Sequence, residues 1–182
     1  MKRPARLVAL GVAVVVVVLG VVLALNVGTD PLAASKTSRL LGKQAPKIDL
    51  VDLDGNPVTS DSLAGKTVVV NFWNEWCAPC IQELPELKSF WEAHAHDGDV
   101  AMVGVVHDSR LTSNAGLSRY ADTEGLGWTL AKDPGNQAAL NFAIRGQPET
   151  FVIAPTGEIV GYQFGAASLR GLESMLAAAR GS

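Results

Sequence analysis

The chain contains only two cysteines, Cys77 and Cys80, and two residues separate them. A pair with this spacing can form a structural disulfide, supply half of a metal site, or act as a redox centre that exchanges thiols and disulfides. Without a third cysteine, a framework of several disulfides is excluded. A disulfide across two residues closes a very small loop and stabilises little by the chain-entropy account. The residues around the pair must therefore distinguish among the three uses.

A zinc site would need two further ligands, and the three histidines are poor candidates. His94 and His96 are two residues apart in a predicted helix, so their side chains do not share a face. His107 ends a predicted strand and can be an ordinary surface residue. A peroxidatic cysteine of the peroxiredoxin type needs a proline and a threonine just upstream, and NFWNEWC contains neither. We therefore expect no metal and no cofactor, with a redox-active Cys77–Cys80 disulfide as the reacting group.

The elements around the cysteines favour the redox use. KTVVVNFW, residues 66–73, is β-branched and apolar, which is typical of a central strand buried on both faces. A helical pattern begins near Cys77 and runs to about His96. The N-terminus of a helix offers free N–H groups and about half a positive charge, which stabilise a thiolate. We expect Cys77 to have a lowered pKa and to attack, and Cys80, one turn further in, to resolve the mixed disulfide.

The rest of the C-terminal part alternates between strand and helix patterns. Strands are predicted on both sides of the turn at 54–57, at 99–107, at 128–133 and in a hairpin at 148–164; helices are predicted at 111–125, 136–144 and 168–180. This order predicts an α/β fold in which a mixed central sheet is flanked by helices.

The N-terminus carries an uncharged apolar run from Leu7 to Leu25, preceded by three positive charges. As a helix the run spans about 28 Å, close to the ~30 Å hydrocarbon core of a bilayer. We predict a cytoplasmic tail at 1–6, a single transmembrane anchor at 7–25, a tether at 26–43 and an extracytoplasmic domain at 44–182. The alternative is a cleaved signal peptide, whose apolar region is usually only about 7–15 residues long.

The charge distribution argues against a nucleic-acid partner. Residues 1–43 carry six basic residues and one acid, a net charge of +5, so residues 44–182 keep nine basic and seventeen acidic residues, a net charge of −8. A folded domain that binds nucleic acid should be basic. The predicted partners are protein thiols and disulfides in an oxidising compartment outside the cytoplasm, where disulfides persist.

VVVNFWNEWCAPC, followed later by QPETFVI, resembles the thioredoxin superfamily. The chain is more closely similar to the membrane-anchored TlpA/ResA/CcmG (DsbE) group of extracytoplasmic thiol–disulfide oxidoreductases, over about residues 43–180. The resemblance implies a thioredoxin-like fold with an N-terminal β extension and an inserted helix and strand. It also implies a reductase of protein disulfides, commonly in the CxxCH of apocytochrome c, that an integral-membrane thiol donor recharges.

Glu83 is a candidate base. On a helix it lies roughly 60° from Cys80, at the edge of the face marked by Leu84 and Leu87. There its carboxylate either tilts toward apolar surroundings, which raises its pKa and suits it to take the proton of Cys80, or reaches water. The resemblance, which places a functional glutamate three residues after the second cysteine, favours the base.

The resemblance implies that a cis Pro148 faces the cysteine pair and leaves the backbone of Gln147 free to pair with a substrate strand. Glu149 then either faces the substrate groove or is a solvated residue at a strand end. Trp76 is expected to form an apolar rim around Cys77. With Pro79, these residues make up the predicted substrate-binding set.

Two positions depart from thioredoxin. Asn71 stands where thioredoxin has a buried aspartate, so Asn71 cannot be the proton acceptor. The residues between the cysteines are Ala78 and Pro79 instead of Gly-Pro, and this pair tunes the reduction potential. The favoured function is a disulfide reductase in cytochrome c maturation; the alternatives are a disulfide oxidase or general thiol oxidoreductase of the same fold, and a non-enzymatic Cu(I) carrier.

Overall fold

The computed structural model describes residues 11–21, 37–107 and 113–181. The chain divides into two compact units, Met1–Lys36 and Thr37–Ser182. The described part of the first unit, residues 11–21, is helical. Within the described residues, no helix is both long enough and apolar enough to span a membrane. The predicted anchor at 7–25 begins and ends outside the described helix and stays a prediction.

The second unit is built on one seven-stranded sheet. Its strands are β1 (Asp49–Asp52), β2 (Pro57–Thr59), β3 (Thr67–Trp73), β4 (Val100–Val106), β5 (Thr129–Lys132), β6 (Glu149–Ile153) and β7 (Ile159–Phe164). Their order across the sheet is β2-β1-β5-β4-β3-β6-β7. β3 and β4 are parallel, as are β4 and β5, whereas the other neighbours are antiparallel. The predicted mixed sheet is therefore confirmed.

The described part of this unit also contains four helices: α1 (Ala78–His94), α2 (Asn114–Glu124), α3 (Gln137–Asn141) and α4 (Leu169–Arg180). Serine caps begin two of them, because the hydroxyl of Ser113 accepts the N–H of Gly116 at 3.1 Å and that of Ser168 accepts the N–H of Gly171 at 3.2 Å. Only residues 74–77 separate the end of β3 from the start of α1, so the strand leads into the helix at the cysteine pair.

β3 is the central strand, and all seven of its residues are buried. Asn71, near its middle, pairs with Gly104 on β4 and with Thr150 on β6. Alternate β3 residues point to opposite faces of the sheet. Val69 and Trp73 join one apolar cluster with Cys80 and other α1 residues, whereas Val68, Val70 and Phe72 join a second cluster on the other face. By this alternation Asn71 points toward α1.

Gly104 allows this face of the sheet to close. A Cβ at this position would lie 2.7 Å from Leu130 Cδ2 and 2.9 Å from Trp73 Nε1, closer than van der Waals contact permits. A side chain here would displace Trp73, the last residue of β3. Glycine therefore preserves the packing at the strand end from which the cysteine segment departs.

Side chains of α1 reach the start of α4. Glu86 Oε2 accepts the N–H of Leu169 at 2.7 Å, which satisfies one of the free donors at this helix end. At the other end of α1, His94 lies 2.9 Å from Glu173 and 2.8 Å from Asp97. These contacts hold the two helices together along the face of the sheet that carries the cysteines.

Each strand and helix predicted for the C-terminal part is present. The predicted β extension is the β1–β2 pair, which joins the sheet through β5. Several boundaries differ from the prediction, most of them by one residue, and α3 ends at Asn141 and not at Ile144. α1 ends at His94 and not at His96, because the chain turns there and the N–H of Asp97 bonds to the His94 carbonyl at 3.0 Å. α2 begins at Asn114, after the Ser113 cap, and residues 111 and 112 lie outside the described part.

Candidate active site

Cys77 caps the N-terminus of α1. Its backbone is extended, with φ −83° and ψ 110°, and its sulfur accepts the N–H of Cys80 at 3.3 Å. Pro79 lies in the first turn, where the missing N–H of proline costs nothing because first-turn donors have no partner within the helix. The predicted placement of the pair at a strand-to-helix junction is confirmed. The free donors of this helix end are available to stabilise a Cys77 thiolate.

Cys77 and Cys80 form a disulfide with their Cα atoms 5.2 Å apart. Cys77 is 5% exposed and Cys80 is fully buried. Of the two cysteines, only Cys77 keeps any exposed surface. This difference in burial supports the roles predicted for them, attack by Cys77 and resolution by Cys80.

Two predicted substrate-binding residues border the disulfide. Trp76 is half-buried and packs against the apolar cluster that includes both cysteines and the buried Trp73. Pro79 is exposed between the cysteines. Trp76 and Pro79 thus form part of the surface around Cys77, and their contact with a substrate stays a prediction.

The loop before β6 faces the disulfide. The Gln147–Pro148 bond is cis, as the resemblance implies. The carbonyl oxygen of Gln147 lies 3.8 Å from Cys77 Sγ, so this backbone borders the reacting atom. The side chain of Gln147 is held separately, because Asn74 Nδ2 donates to Gln147 Oε1 at 2.6 Å. This contact joins the loop to the segment that precedes the cysteines.

Glu149 lies in neither of the two expected places, the substrate groove or a solvated strand end. It is 1% exposed. Its Oε1 accepts the backbone N–H groups of Arg145 at 2.7 Å and Gly146 at 3.0 Å, and its Oε2 accepts the hydroxyl of Tyr162 at 2.9 Å. A buried carboxylate needs such donors, and the loop supplies them. Glu149 therefore shapes the loop that carries Gln147 and has no carboxylate oxygen directed at a substrate surface.

Tyr162 lies between Glu149 and the guanidinium group of Arg145. Its hydroxyl also accepts from the Arg145 guanidinium at 2.7 Å. Burial raises the pKa of Tyr162 to about 12, with Arg145 opposing the shift and Glu149 adding to it. The phenol therefore keeps its proton throughout the physiological pH range and donates it to Glu149.

Glu83 is 1% exposed, so the possibility that it reaches water at the helix edge is wrong. Its Oε1 accepts from Asn71 Nδ2 at 2.9 Å, and its Oε2 accepts the N–H of Ala167 at 2.7 Å. The residue was expected at the edge because helical angles ignore what covers the helix; here the segment before α4 covers it. Burial raises the pKa of Glu83 to about 7, and the two hydrogen bonds oppose the shift.

Several site residues were not singled out from the sequence. The sequence marks Asn71 only as a departure from thioredoxin, and it predicts no role for Thr150, Asn74 or Tyr162. The sequence does offer a signal for Asn71 and Thr150. Asn71 interrupts the apolar strand run VVVNFW, and Thr150 begins the apolar run TFVI. Tyr162 gives no such signal, because only the pairing of β6 with β7 brings it to Glu149.

No group of three or more His, Cys, Asp or Glu side chains in the described ranges is placed to hold a metal ion. The expectation that the site uses no metal and no cofactor stays a prediction. The chemistry that the described site can perform is thiol–disulfide exchange at Cys77. One turn beyond Cys80, the buried carboxyl group of Glu83 has a pKa of about 7.

Several known proteins are similar to this chain in sequence and fold. The AhpC/TSA family matches residues 41–162. The thiol-disulfide oxidoreductase ResA of Halalkalibacterium halodurans is 30% identical over 127 residues, which cover 70% of this chain and 70% of that protein. The thiol:disulfide interchange protein DsbE of Allochromatium vinosum is 36% identical over 126 residues, 67% of this chain and 65% of that protein. A thioredoxin-family thiol:disulfide interchange protein from Chlorobium tepidum has a crystal structure that matches with a TM-score of 0.63 at 28% identity, covering 79% of this chain and 99% of that one.

In the reduced protein, iodoacetamide at neutral pH should modify Cys77 at least about tenfold faster than Cys80, because the helix N-terminus stabilises the Cys77 thiolate and Cys80 is buried. Peptide mapping of briefly labelled protein by mass spectrometry measures both rates. In urea the two rates should converge, since the helix end and the burial are lost. Equal rates in the folded protein, or faster labelling of Cys80, would contradict the assigned roles.

Proposed function

Because the chain belongs to the AhpC/TSA family of the thioredoxin superfamily and is a thiol–disulfide oxidoreductase, we propose that it is a membrane-tethered, extracytoplasmic reductase of protein disulfides. The proposed substrate is the disulfide of an apocytochrome c CxxCH segment. The observation that carries the proposal is the Cys77–Cys80 disulfide at the start of α1, with the buried Glu83 one turn further on. The group resemblance of the sequence supports the substrate class.

The proposed reaction begins with the reduced protein. The Cys77 thiolate attacks one sulfur of the substrate disulfide, that S–S bond breaks, and the other substrate sulfur leaves as a thiolate that takes up a proton. Cys80 then attacks Cys77 Sγ, and the second substrate sulfur leaves and is protonated in turn. Two electrons have passed to the substrate, and the Cys77–Cys80 disulfide has formed. A thiol donor in the membrane returns the pair to the reduced state.

Glu83 is the proposed base for the second step. Cys80 is fully buried, so bulk water does not take its proton directly. A carboxyl group with a pKa of about 7 is poised to accept a proton near neutrality and to release it again. The position of Glu83, one turn beyond Cys80 on the same helix, supports this role.

The proposed direction of electron flow rests on the residues between the cysteines. Ala78 and Pro79 are closer in character to the Gly-Pro of thioredoxin than to the polar, histidine-containing pairs of strong oxidants. A reductase needs a potential nearer to about −270 mV, that of thioredoxin, than to about −120 mV, that of DsbA. An oxidase of the same fold is the second candidate and differs in this potential alone.

Glu83→Gln should leave formation of the mixed disulfide unchanged, because that step belongs to Cys77, and should slow its resolution by about 10²-fold. Acid quenching followed by mass spectrometry measures the amount of mixed disulfide over time.

Glu83→Gln should also alter the dependence of stability on pH. Between pH 4.5 and about 7, folded Glu83 holds a proton that the unfolded chain releases, so the wild type loses up to about 3 kcal/mol of unfolding free energy as the pH rises. The variant should lack this loss.

Glu86→Gln is the matched control. Glu86 also accepts a backbone N–H of the same segment, that of Leu169, but it is exposed. Its substitution should change neither the resolution rate nor the fall in stability between pH 4.5 and about 7. A resolution rate in Glu83→Gln equal to that of the wild type would remove the proposed base.

Equilibration of the full-length protein with glutathione and dithiothreitol buffers should give a reduction potential near the thioredoxin end of the range. Thiol alkylation and mass spectrometry measure the reduced fraction of the protein at each buffer potential. A reduction potential above about −180 mV would contradict the reductase proposal and favour the oxidase.

Pro79→His should raise the reduction potential, because a polar residue near Cys77 stabilises its thiolate and with it the reduced form.

The full-length protein should pellet with membranes and resist washing with high salt or carbonate. The uncharged run from Leu7 to Leu25 behind three basic residues motivates this expectation. A double variant, Val15→Arg with Val17→Arg, should lose this retention, since each arginine at the centre of a span costs about 2.5–3.5 kcal/mol. A soluble species that begins near Ser35 or Lys36 would show a cleaved signal peptide in place of the anchor.

A further inference from the structure

We propose that Asn71 is a positioning residue that serves Glu83 in both of its protonation states, by turning its amide nitrogen toward the ionised carboxylate and its amide oxygen toward the protonated carboxyl group. The inference rests on the proposed function, because it concerns the group proposed as the base. It adds a second side chain, on a different element, to the control of that base.

The side chain of Asn71 lies inside the protein with half of its amide unused. Asn71 is 1% exposed. Its Nδ2 donates to Glu83 Oε1 at 2.9 Å and to Thr150 Oγ1 at 3.0 Å, which uses both amide hydrogens. Its Oδ1 is buried and has no hydrogen-bond partner. A buried acceptor without a donor is uncommon and needs a physical reason.

The contacts of Glu83 determine where its proton must go. Oε2 faces the backbone N–H of Ala167 at 2.7 Å, and a backbone donor cannot become an acceptor. Oε1 faces the amide of Asn71. The proton of a neutral Glu83 therefore belongs on Oε1, where it would meet the hydrogens of Nδ2 if the amide kept its orientation.

A half-turn of the amide removes this conflict. It places Oδ1 opposite the carboxyl O–H, so that the carboxyl group donates and the amide accepts. The hydroxyl of Thr150 adapts as well, because it accepts from Nδ2 in the first arrangement and donates to Oδ1 in the second. In the first arrangement the amide oxygen has no partner, and in the second the amide nitrogen occupies that position.

Two other residue types show what the amide contributes at this position. A leucine would offer Glu83 neither a donor nor an acceptor, and an aspartate would add a second carboxylate that repels the ionised form. The groups that face Glu83 are Asn71 from β3 and the Ala167 N–H from the segment before α4, with Thr150 on β6 behind Asn71. No charged side chain among the described residues contributes to its titration. The amide is therefore the adjustable partner of the carboxyl group.

The orientation of the amide is measured in the full-length oxidised protein by NMR, with ¹⁵N-labelled asparagine and ¹³C-labelled glutamate. Above the pKa of Glu83, the amide hydrogens of Asn71 should show strong Overhauser effects to the side-chain protons of Glu83 and Thr150. Below it these effects should weaken severalfold. In Glu83→Gln they should be weak at every pH, because the introduced side-chain amide donates to Oδ1 as a protonated carboxyl group would. Effects that stay constant through the titration would overturn the inference.

Variants of Asn71 give a second, independent measurement. Asn71→Leu should raise the pKa of Glu83 by up to about one unit, because the hydrogen bond lost by the ionised carboxylate is charge-assisted and stronger than the one lost by the neutral carboxyl group. Asn71→Asp should raise it further. The pH at which resolution of the mixed disulfide is half-maximal should move by the same amount. Thr67→Val is the control, because it removes another buried polar group from the same face of β3 without touching Glu83, and it should leave both values unchanged. An unchanged Glu83 pKa in folded Asn71→Leu would also overturn the inference.

These readouts separate the inference from the proposed function. The NMR titration reports on the amide and the carboxyl group without any turnover. If Glu83→Gln resolves the mixed disulfide at the wild-type rate, the base assignment fails, and the Overhauser effects still decide whether Asn71 changes its orientation.

Discussion

The burial of the Glu83 carboxyl group is the constraint on which this structure depends. A carboxylate taken out of water must find hydrogen-bond donors, or its ionised form becomes too costly. Here the donors come from the centre of the sheet, through Asn71, and from the segment before α4, through Ala167. The same group thus joins the sheet to two helices and keeps a pKa of about 7. Because burial destabilises the charged form of Glu83, the free energy of unfolding falls as the pH rises toward about 7. This loss of stability occurs at the position where the proposed chemistry needs a base.

A second buried carboxylate, Glu149, holds the loop on the other side of the disulfide. It neighbours Thr150 on β6, and the two residues pair with Phe72 and Asn71 on β3. One strand therefore supplies a contact to each half of the site: Thr150 to the amide beside Glu83, and Glu149 to the loop that carries Gln147. The distance between the Gln147 carbonyl and Cys77 Sγ follows from this shared framework, since both sides are tied to the same pair of strands.

The two carboxylates also show how position within one site separates their tasks. Glu149 accepts three hydrogen bonds, two of them from backbone N–H groups that cannot move independently. Glu83 accepts one backbone N–H and one side-chain amide, and an amide can present either a donor or an acceptor. The first arrangement suits a fixed hydrogen-bond acceptor that shapes a loop. The second suits a group that gains and loses a proton.

From the sequence alone, the α/β class, the element order, the strand-to-helix junction at Cys77 and the candidacy of Glu83 could be predicted, because apolar periodicity and helix-end chemistry are local properties of the chain. The depth at which Glu83 is buried, the task of Glu149 and the contacts of Asn71 could not. Helical angles place Glu83 on an edge, but the segment around Ala167, more than 80 residues away, covers it. Likewise only the pairing of β3 with β6 and of β6 with β7 brings Thr150 to Asn71 and Tyr162 to Glu149. The residues that react are therefore determined by local sequence, whereas their protonation and orientation are decided by tertiary packing, because solvent exclusion and hydrogen bonding depend on residues far apart in the chain.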